Sequence, residues 1–176
     1  MKSDTVASQP THGRPRRFTT IILLVALVSG TVAGLNSGST ARAASAPDCM
    51  PIGGVGMPNF VPQDDGTITI VAPLTGSVRT TSGRITRQQE TATGMEMDME
   101  HYFMNEQGGF MHTKDKAVLT RVQGKKDWYM VEITYHIQEA STSGVLEGYR
   151  GQFSSYGLVD LENLRGLIRY SGQICR

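Results

Sequence analysis

Apolar and polar residues alternate along most of the chain after residue 66, and a period of two is typical of strands with one buried face. The alternating runs are rich in β-branched and aromatic residues, and short turns with glycine separate them. Such runs and turns predict strands rather than helices. The pattern predicts about eight strands, over residues 67–72, 84–91, 95–104, 110–122, 127–139, 145–149, 153–160 and 166–174.

About eight short antiparallel strands form either a closed barrel or a two-sheet sandwich. Strands this long in an open sheet would leave two unpaired edges, and closing the sheet removes both of them. An eight-stranded barrel also has an interior just wide enough for side chains or for one small ligand. We therefore expect residues 67–176 to form an all-β, antiparallel, eight-stranded closed barrel, with a β-sandwich as the alternative.

The N-terminal segment, residues 1–43, has the order of a secretory signal. A basic stretch around Arg16 and Arg17 precedes an apolar run that begins at Phe18, and Ala41-Arg-Ala43 offers a cleavage site for signal peptidase. A cleaved signal predicts an exported protein, secreted or at the cell surface. The alternative is a membrane anchor formed by residues 18–35, although this run is short beside the ~20 apolar residues of a spanning helix.

Residues 44–66 follow the signal and are rich in proline and glycine, which predicts irregular chain before the barrel domain. The segment contains Cys49, and the second cysteine of the chain, Cys175, lies next to the C-terminus. Two cysteines in an exported chain are expected to pair, so we predict a Cys49–Cys175 disulfide. A metal-binding pair is the alternative, but cysteines so far apart lack the spacing of metal ligands.

The net charge changes sign when the signal is removed. The whole chain has a net charge of +1, and residues 1–43 hold five basic residues and one acid. The remainder has 12 basic and 15 acidic residues and a net charge of −3. Such a chain offers no basic patch for nucleic acid, so we expect no nucleic-acid partner. Contact with a membrane is expected only through an uncleaved N-terminal segment.

The stretch "MEMDMEHYF", residues 95–103, places methionine at every second position with an acid between each pair. On a strand, Met95, Met97, Met99, His101 and Phe103 share one face, and the acids share the other. The acids must face solvent because burying unpaired carboxylates costs too much free energy. The methionine face should therefore line the interior. Methionine is flexible and polarizable and suits a pocket for awkward apolar shapes. An ordinary core strand is the alternative.

The strand over residues 127–139 extends this interior face with tyrosines, and Tyr170 does so on the last strand. An apolar lining with a few hydroxyl groups is typical of small-molecule sites. Trp128, at the start of its strand, is expected to form a lip over the mouth. The candidate ligand-binding residues are Met97, Met99, His101, Phe103, Trp128, Tyr129, Met130, Tyr135 and Tyr170.

Other chemistry has little support in the sequence, which contains no Gly-rich phosphate loop, no GxSxG and no HExxH. No cofactor is expected, and catalytic residues are not assigned. Lys114-Asp-Lys116 is expected to be a solvated hairpin face. If a strand were shifted by one residue, the acids that would face the interior are Glu90, Asp115 and Glu132, and we take Glu132 as a candidate acid or base.

The C-terminal third carries three short motifs with fixed spacing. They are Gly-x-x-Gly-x-Phe (Gly148, Gly151, Phe153), Gly-x-Val-Asp (from Gly157) and Arg-Tyr-x-Gly (Arg169, Tyr170, Gly172). This set resembles the small antiparallel barrels related to allene oxide cyclase and dirigent proteins, including bacterial members. The resemblance covers roughly residues 67–175. Its motifs are mostly turn glycines, so they bear on the fold more than on the activity.

The resemblance implies a barrel that binds a reactive apolar molecule and folds it into one ring-closing conformer without a cofactor. The leading hypothesis is therefore a cofactor-independent barrel cyclase that catalyses a cycloaddition-type, pericyclic ring closure of an apolar polyene or polyketide-like substrate. An exported lipocalin-like carrier of a small apolar ligand is the alternative. A weaker alternative is a copper-binding protein that uses the methionine row, Met95, Met97 and Met99, together with His101, since thioethers suit Cu(I). The sequence is also compatible with a homodimer.

Overall fold

The computed structural model describes residues 47–176, which are all-β apart from one short 3-10 turn. The predicted signal or anchor therefore lies outside the described residues. Among residues 47–176, no helix is long and apolar enough to cross a membrane. The strands are β1 (Cys49–Gly56), β2 (Asn59–Pro62), β3 (Ile68–Pro73), β4 (Thr80–Glu90), β5 (Gly94–Met104), β6 (Phe110–Arg121), β7 (Trp128–Ser143), β8 (Gln152–Asp160) and β9 (Arg165–Cys175).

The strands close into the predicted eight-stranded antiparallel barrel, and one extra strand is added to it. Each of the strands from β2 to β9 pairs with the next, and β9 returns to β2 through Asn59 and Arg165. The extra strand, β1, runs antiparallel along β9 from Cys49 opposite Cys175 to Gly56 opposite Ile168. Closure satisfies the backbone groups that an open sheet would leave unpaired at its edges.

Two stretches differ from the strand prediction. Strands β1 and β2 form within residues 44–66, where proline and glycine content predicted irregular chain. Glycine is useful in β1 because the backbone passes close to a neighbouring loop; a Cβ on Gly54 would lie 1.8 Å from the carbonyl oxygen of Thr75. The predicted strand at residues 145–149 is wrong, because Gly144–Leu146 form a 3-10 turn. Leu146 and Tyr149 are buried there and close one end of the barrel.

The predicted disulfide is confirmed. Cys49 and Cys175 are bonded, which joins the first residue of β1 to the last residue of β9. Just outside the bridge, the Arg176 guanidinium donates to the Asp48 carboxylate over 2.9 Å. The bridge and this exposed ion pair fasten the two ends of the described chain to each other.

The turn between β8 and β9 is ordered by Asp160, which is almost without solvent exposure. Its carboxylate accepts hydrogen bonds from the backbone and the side-chain amide of Asn163, at 3.1 and 2.7 Å. The Asn163 side chain is the main reason that the pKa of Asp160 lies below its ordinary value of 3.8. A carboxyl group with a lowered pKa stabilises the fold above its ordinary pKa and loses that contribution as the pH falls through the folded value.

We expect Asn163→Ala to lower the midpoint of urea unfolding at pH 7, because the Asp160 carboxylate loses its closest donor. The difference from wild type should shrink as the pH falls below about 4, the ordinary pKa at which the unfolded chain takes up the proton, and through the lower pKa of the folded protein. Asn59→Ala is the matched control, since the Asn59 amide donates to the Met57 carbonyl rather than to a titrating group. Its effect should not change with pH. An Asn163→Ala effect of equal size at pH 7 and pH 3 would contradict the role of Asp160.

Candidate functional site

The methionine face of β5 points into the barrel, as predicted. Met95, Met97 and Met99 are 7%, 8% and 5% exposed, and His101 and Phe103 are also buried on this face. The acids between them face outward, and two of these acids pair with basic residues on the neighbouring strands. The Arg84 guanidinium donates to Glu100, and the Lys116 ammonium group contacts Asp98. The alternation of apolar and acidic residues in β5 therefore separates the interior from a charged outer surface.

The barrel is hollow. A cavity of about 230 Å³ lies inside it, and the methionine face of β5 forms part of its wall. Apolar side chains of β3, β6, β7, β8 and β9 complete the wall, among them Ala72, Leu119, Ile133, Val159 and Ile168. A core filled only for stability leaves few voids larger than a water molecule. The space is therefore large enough to be a binding site rather than a packing defect.

The cavity opens at the end of the barrel where β5, β7 and β9 begin. The lining residues that are partly or fully exposed lie at this end and form a mouth; they are Phe60, Ile68, Ile85, Gln88, Leu161 and Leu164. The opposite end is closed by side chains with 0–2% exposure, namely Val78, Met111, Leu146 and Ile174. Among the described residues, the cavity thus has one apolar entrance and a sealed base.

The floor of the cavity is a cluster of aromatic side chains. The Tyr135 and Phe153 rings stack with their centroids 4.6 Å apart, and Phe103 contacts both rings edge to face at 5.4 Å. Offset and edge-to-face pairs of this kind add to the stability that burial provides. Tyr170 lies beside Phe153, at 6.4 Å between centroids. Phe103, Tyr135 and Tyr170 of this cluster line the inner end of the cavity, and Phe153 packs behind them.

A buried histidine and a buried aspartate lie at this inner end. Nδ1 of His101 is 2.7 Å from a carboxylate oxygen of Asp115, and the two side chains are only 4% and 0% exposed. The imidazole lines the cavity. Its ring centroid is 5.8 Å from that of Phe103 and 5.5 Å from that of Tyr135. In the tautomer whose Nδ1 hydrogen faces this carboxylate, Nε2 carries the lone pair. Besides Thr81 and Gln88, the mostly apolar lining therefore includes an imidazole nitrogen that can accept a hydrogen bond.

Gly83 on β4 makes room for this histidine. It lies directly opposite His101 in the β4–β5 ladder. A Cβ on Gly83 would lie 2.5 Å from Cδ2 and 2.6 Å from Nε2 of His101, which is far inside van der Waals contact. Only glycine lets the ring adopt its present position, because any side chain at 83 would push the ring from its bond to Asp115.

The two tyrosines of the floor remain protonated. Burial raises the pKa of Tyr135 well above its ordinary value of 10.0, although the hydrogen bond with Ser155, at 3.0 Å, acts in the opposite direction. Burial also raises the pKa of Tyr170, whose hydroxyl donates to the carbonyl oxygen of Thr75 over 2.6 Å. Both hydroxyl groups are thus already hydrogen-bonded within the protein. The Tyr170 hydroxyl thus has no hydrogen left to donate to a ligand.

Most of the predicted site residues meet at the cavity. Met97, Met99, His101, Phe103, Tyr135 and Tyr170 all line it. Tyr129 is buried on the same face of β7 but is not part of the lining. The lumen position predicted for Met130 is wrong: it is 46% exposed because it alternates with inward Tyr129 and Val131. Trp128 is half-buried and outside the lining, on the same outward side of β7 as Met130.

Asp115 is a site residue that the sequence analysis places incorrectly. It was expected on a solvated hairpin face between Lys114 and Lys116, but it is 3% exposed and points inward. The alternation of β6 places Asp115 on the same face as Thr113 and Ala117, and this alternation was the signal in the sequence. The other two acids considered for the interior, Glu90 and Glu132, are exposed. No functional role for Glu132 follows from its position.

The methionine row lies on a regular strand that pairs with β4 and β6 along its length. Side chains two residues apart on a strand are ~6.5–7 Å apart, so three thioethers do not converge on one ion without distorting the strand. In residues 47–176, no group of three or more His, Cys, Asp or Glu side chains has the arrangement of a metal site. The row is better described as the wall of the cavity.

Neither a protein-family model, a curated protein nor a solved structure matches this chain. What the protein does is therefore inferred from the lumen, from its size and from the polar groups inside it.

Proposed function

We propose that the barrel binds a compact apolar molecule in its lumen and promotes ring closure within that molecule without a cofactor. The observation that supports this proposal is the hollow apolar bore of about 230 Å³ with one open end. An apolar cavity of about 150 Å³ in another protein binds benzene. If the number of ligand atoms scales with cavity volume, this lumen suits a molecule of about ten non-hydrogen atoms. That size is smaller than most polyketides, so it narrows the substrate class expected from the sequence.

The shape of the lumen favours ring closure. An intramolecular cycloaddition needs its two reacting ends held close together, and such positioning can remove several kcal/mol from the barrier. A small cavity that is closed at its inner end forces a linear molecule of this size to fold on itself. The aromatic side chains at the inner end support one side of the molecule, and the flexible thioethers of Met97 and Met99 adapt to the other side. Positioning of this kind also agrees with the resemblance to the allene oxide cyclase group.

A carrier of the same type of ligand is the second candidate function. The Cys49–Cys175 disulfide favours it, because such bonds persist in oxidising compartments, where exported carriers act. The two candidates share the binding site and differ in turnover. Binding is therefore tested first and ring closure second.

Ala72→Phe is expected to abolish binding of naphthalene, a probe with about ten non-hydrogen atoms. Ala72 lies in the wall of the lumen, and a phenyl ring there would fill about two thirds of the space if it needs the volume of benzene. The matched control is Val71→Phe, on the outer face of the same strand, where Val71 is 42% exposed. Wild type and control should show saturable fluorescence titrations. Equal binding by Ala72→Phe and wild type would exclude the lumen as the site.

Turnover is tested with 1,7,9-decatrien-3-one, a linear triene ketone of about the size that the lumen accepts. Its intramolecular cycloaddition gives a bicyclic ketone that gas chromatography separates from the starting material. A cyclase should accelerate this reaction at least tenfold over buffer, with saturation, and Ala72→Phe should remove the acceleration. Binding of the triene at the rate of the uncatalysed reaction would support the carrier and contradict the cyclase.

A further inference from the structure

The His101–Asp115 pair has polar capacity that the barrel does not use. One carboxylate oxygen of Asp115 binds Nδ1 of His101, but the other, Oδ1, is buried without a partner among the described residues. The hydroxyl of Thr113, directly opposite His101 in the β5–β6 ladder, is likewise buried and unpartnered. Buried polar atoms without partners are rare, and each raises the question of what satisfies it. Here they surround an imidazole that lines an open cavity.

A purely structural role explains this arrangement poorly. The neighbours of the imidazole are the rings of Phe103 and Tyr135, so an apolar side chain would pack there at lower cost than a buried polar pair. The pair also requires glycine at position 83, which forfeits a side chain in the middle of β4. A neutral imidazole held in one tautomer by a carboxylate is, in contrast, the usual construction of a proton acceptor.

We infer that Nε2 of His101 accepts a hydrogen bond, and then the proton, from a hydroxyl group of the bound molecule, with Asp115 as a positioning residue. The inference rests on the proposed lumen function and names its ligand class, a compact apolar molecule that carries one hydroxyl group. The side chain of His101 makes its hydrogen bond among the described residues through Nδ1 alone, so Nε2 is free for the ligand. The apolar part of the molecule would fill the bore toward the mouth.

The proton transfer is balanced within the protein and its ligand. The ligand O–H bond breaks as the Nε2–H bond forms, and the Asp115 carboxylate stabilises the resulting imidazolium. The oxygen then attacks an electrophilic carbon of the same molecule. The atom that receives the displaced electron pair takes the proton back from Nε2. The net change is an isomerisation that closes a ring through oxygen, and it requires no other reactant.

The test compares naphthalene with 2-naphthol, whose hydroxyl is weakly acidic in the ground state and strongly acidic when excited by light. Both probes are titrated into the full-length protein and the two dissociation constants are expressed as a ratio. Removing the hydrogen bond to Nε2 should reduce the preference for 2-naphthol by about 3- to 10-fold. In wild type, excitation of bound 2-naphthol should give emission from the deprotonated naphtholate, because Nε2 takes the proton.

Three variants separate the outcomes. His101→Phe/Asp115→Leu removes both partners, leaves no buried carboxylate, and should lose the preference and the naphtholate emission while still binding naphthalene. His101→Gln keeps a donor for Asp115 but has no basic nitrogen, so it should lose the emission. His136→Phe, at an exposed histidine on the outer side of β7, is the control and should match wild type.

Two results would overturn the inference. One is an unchanged preference in the double variant, and the other is naphtholate emission that is equal in wild type and His101→Gln or lacking in wild type. In either case, naphthalene binding that Ala72→Phe abolishes would leave the lumen function intact. A wild-type protein that binds neither probe would instead contradict the lumen function itself.

Discussion

Replacing Cys49 and Cys175 by serine is expected to lower the free energy of unfolding by about 3–5 kcal/mol. The two cysteines are 126 residues apart in the sequence, so the bridge closes a loop that spans nearly the whole barrel. Closing so long a loop removes much conformational entropy from the unfolded chain, and the chain-entropy model gives about 5 kcal/mol. The native state should lose little, because β1 still pairs with β9 along its length.

The measurement is chemical denaturation of wild type and Cys49→Ser/Cys175→Ser, with and without a reductant. Reduced wild type should unfold at the same denaturant concentration as the variant. Asp48→Ala is the control, because the only side-chain contact that it removes among the described residues is the exposed ion pair with Arg176 beside the bridge. An exposed pair is worth about 0–1 kcal/mol, so this change should be small. A loss below about 1 kcal/mol in the double serine variant would show that the unfolded chain gains little freedom.

The second large effect is expected at the buried histidine. His101→Leu should destabilise the fold by about 3–5 kcal/mol, because the Asp115 carboxylate would remain buried without its partner. His101→Leu/Asp115→Leu should be less destabilised than the sum of the two single variants, since it removes the orphaned charge as well. A double-mutant cycle on the free energy of unfolding measures this coupling directly.

Thr113→Val is the matched control for the cycle. Its hydroxyl is buried close to the pair but has no hydrogen-bond partner among the described residues. Replacing it by a methyl group of similar shape should leave the stability unchanged or raise it. Additive effects of the two leucine substitutions would mean that the two side chains do not depend on each other, which contradicts the short contact between them.

The barrel could be predicted from the sequence because its strands have one apolar and one polar face. In β5 the alternation is regular, and its inward residues were assigned correctly. Strand β1 could not be predicted in this way. Three of its eight residues are glycine, so it lacks an apolar face, and it is held by backbone pairing to β9 and by the disulfide. Such pairing comes from tertiary contacts that leave no periodic pattern.

The site was predicted in part, and the failures have a common cause. Met97, Met99 and His101 were predicted correctly because they lie on the same face of the strand as Phe103. Asp115 was missed because its charge and its two lysine neighbours suggested an exposed position. The alternation of buried and exposed residues in β6 by itself places it on the inward face. Met130 was included because it is a methionine, although the alternation in β7 places it on the outward face. The alternation within one strand cannot predict the hydrogen bond between His101 and Asp115. This bond depends on the register of two strands and on the glycine opposite the histidine.

The sealed base of the barrel has a kinetic consequence. A molecule that enters past Ile85 and Leu161 must leave by the same route, so two molecules cannot pass each other inside the bore. Under the proposed cyclase function, each turnover would wait for the previous occupant to depart, and a cyclised product that keeps the volume of its precursor would compete with it directly. That function would then come with strong product inhibition and a turnover number set by product release rather than by chemistry.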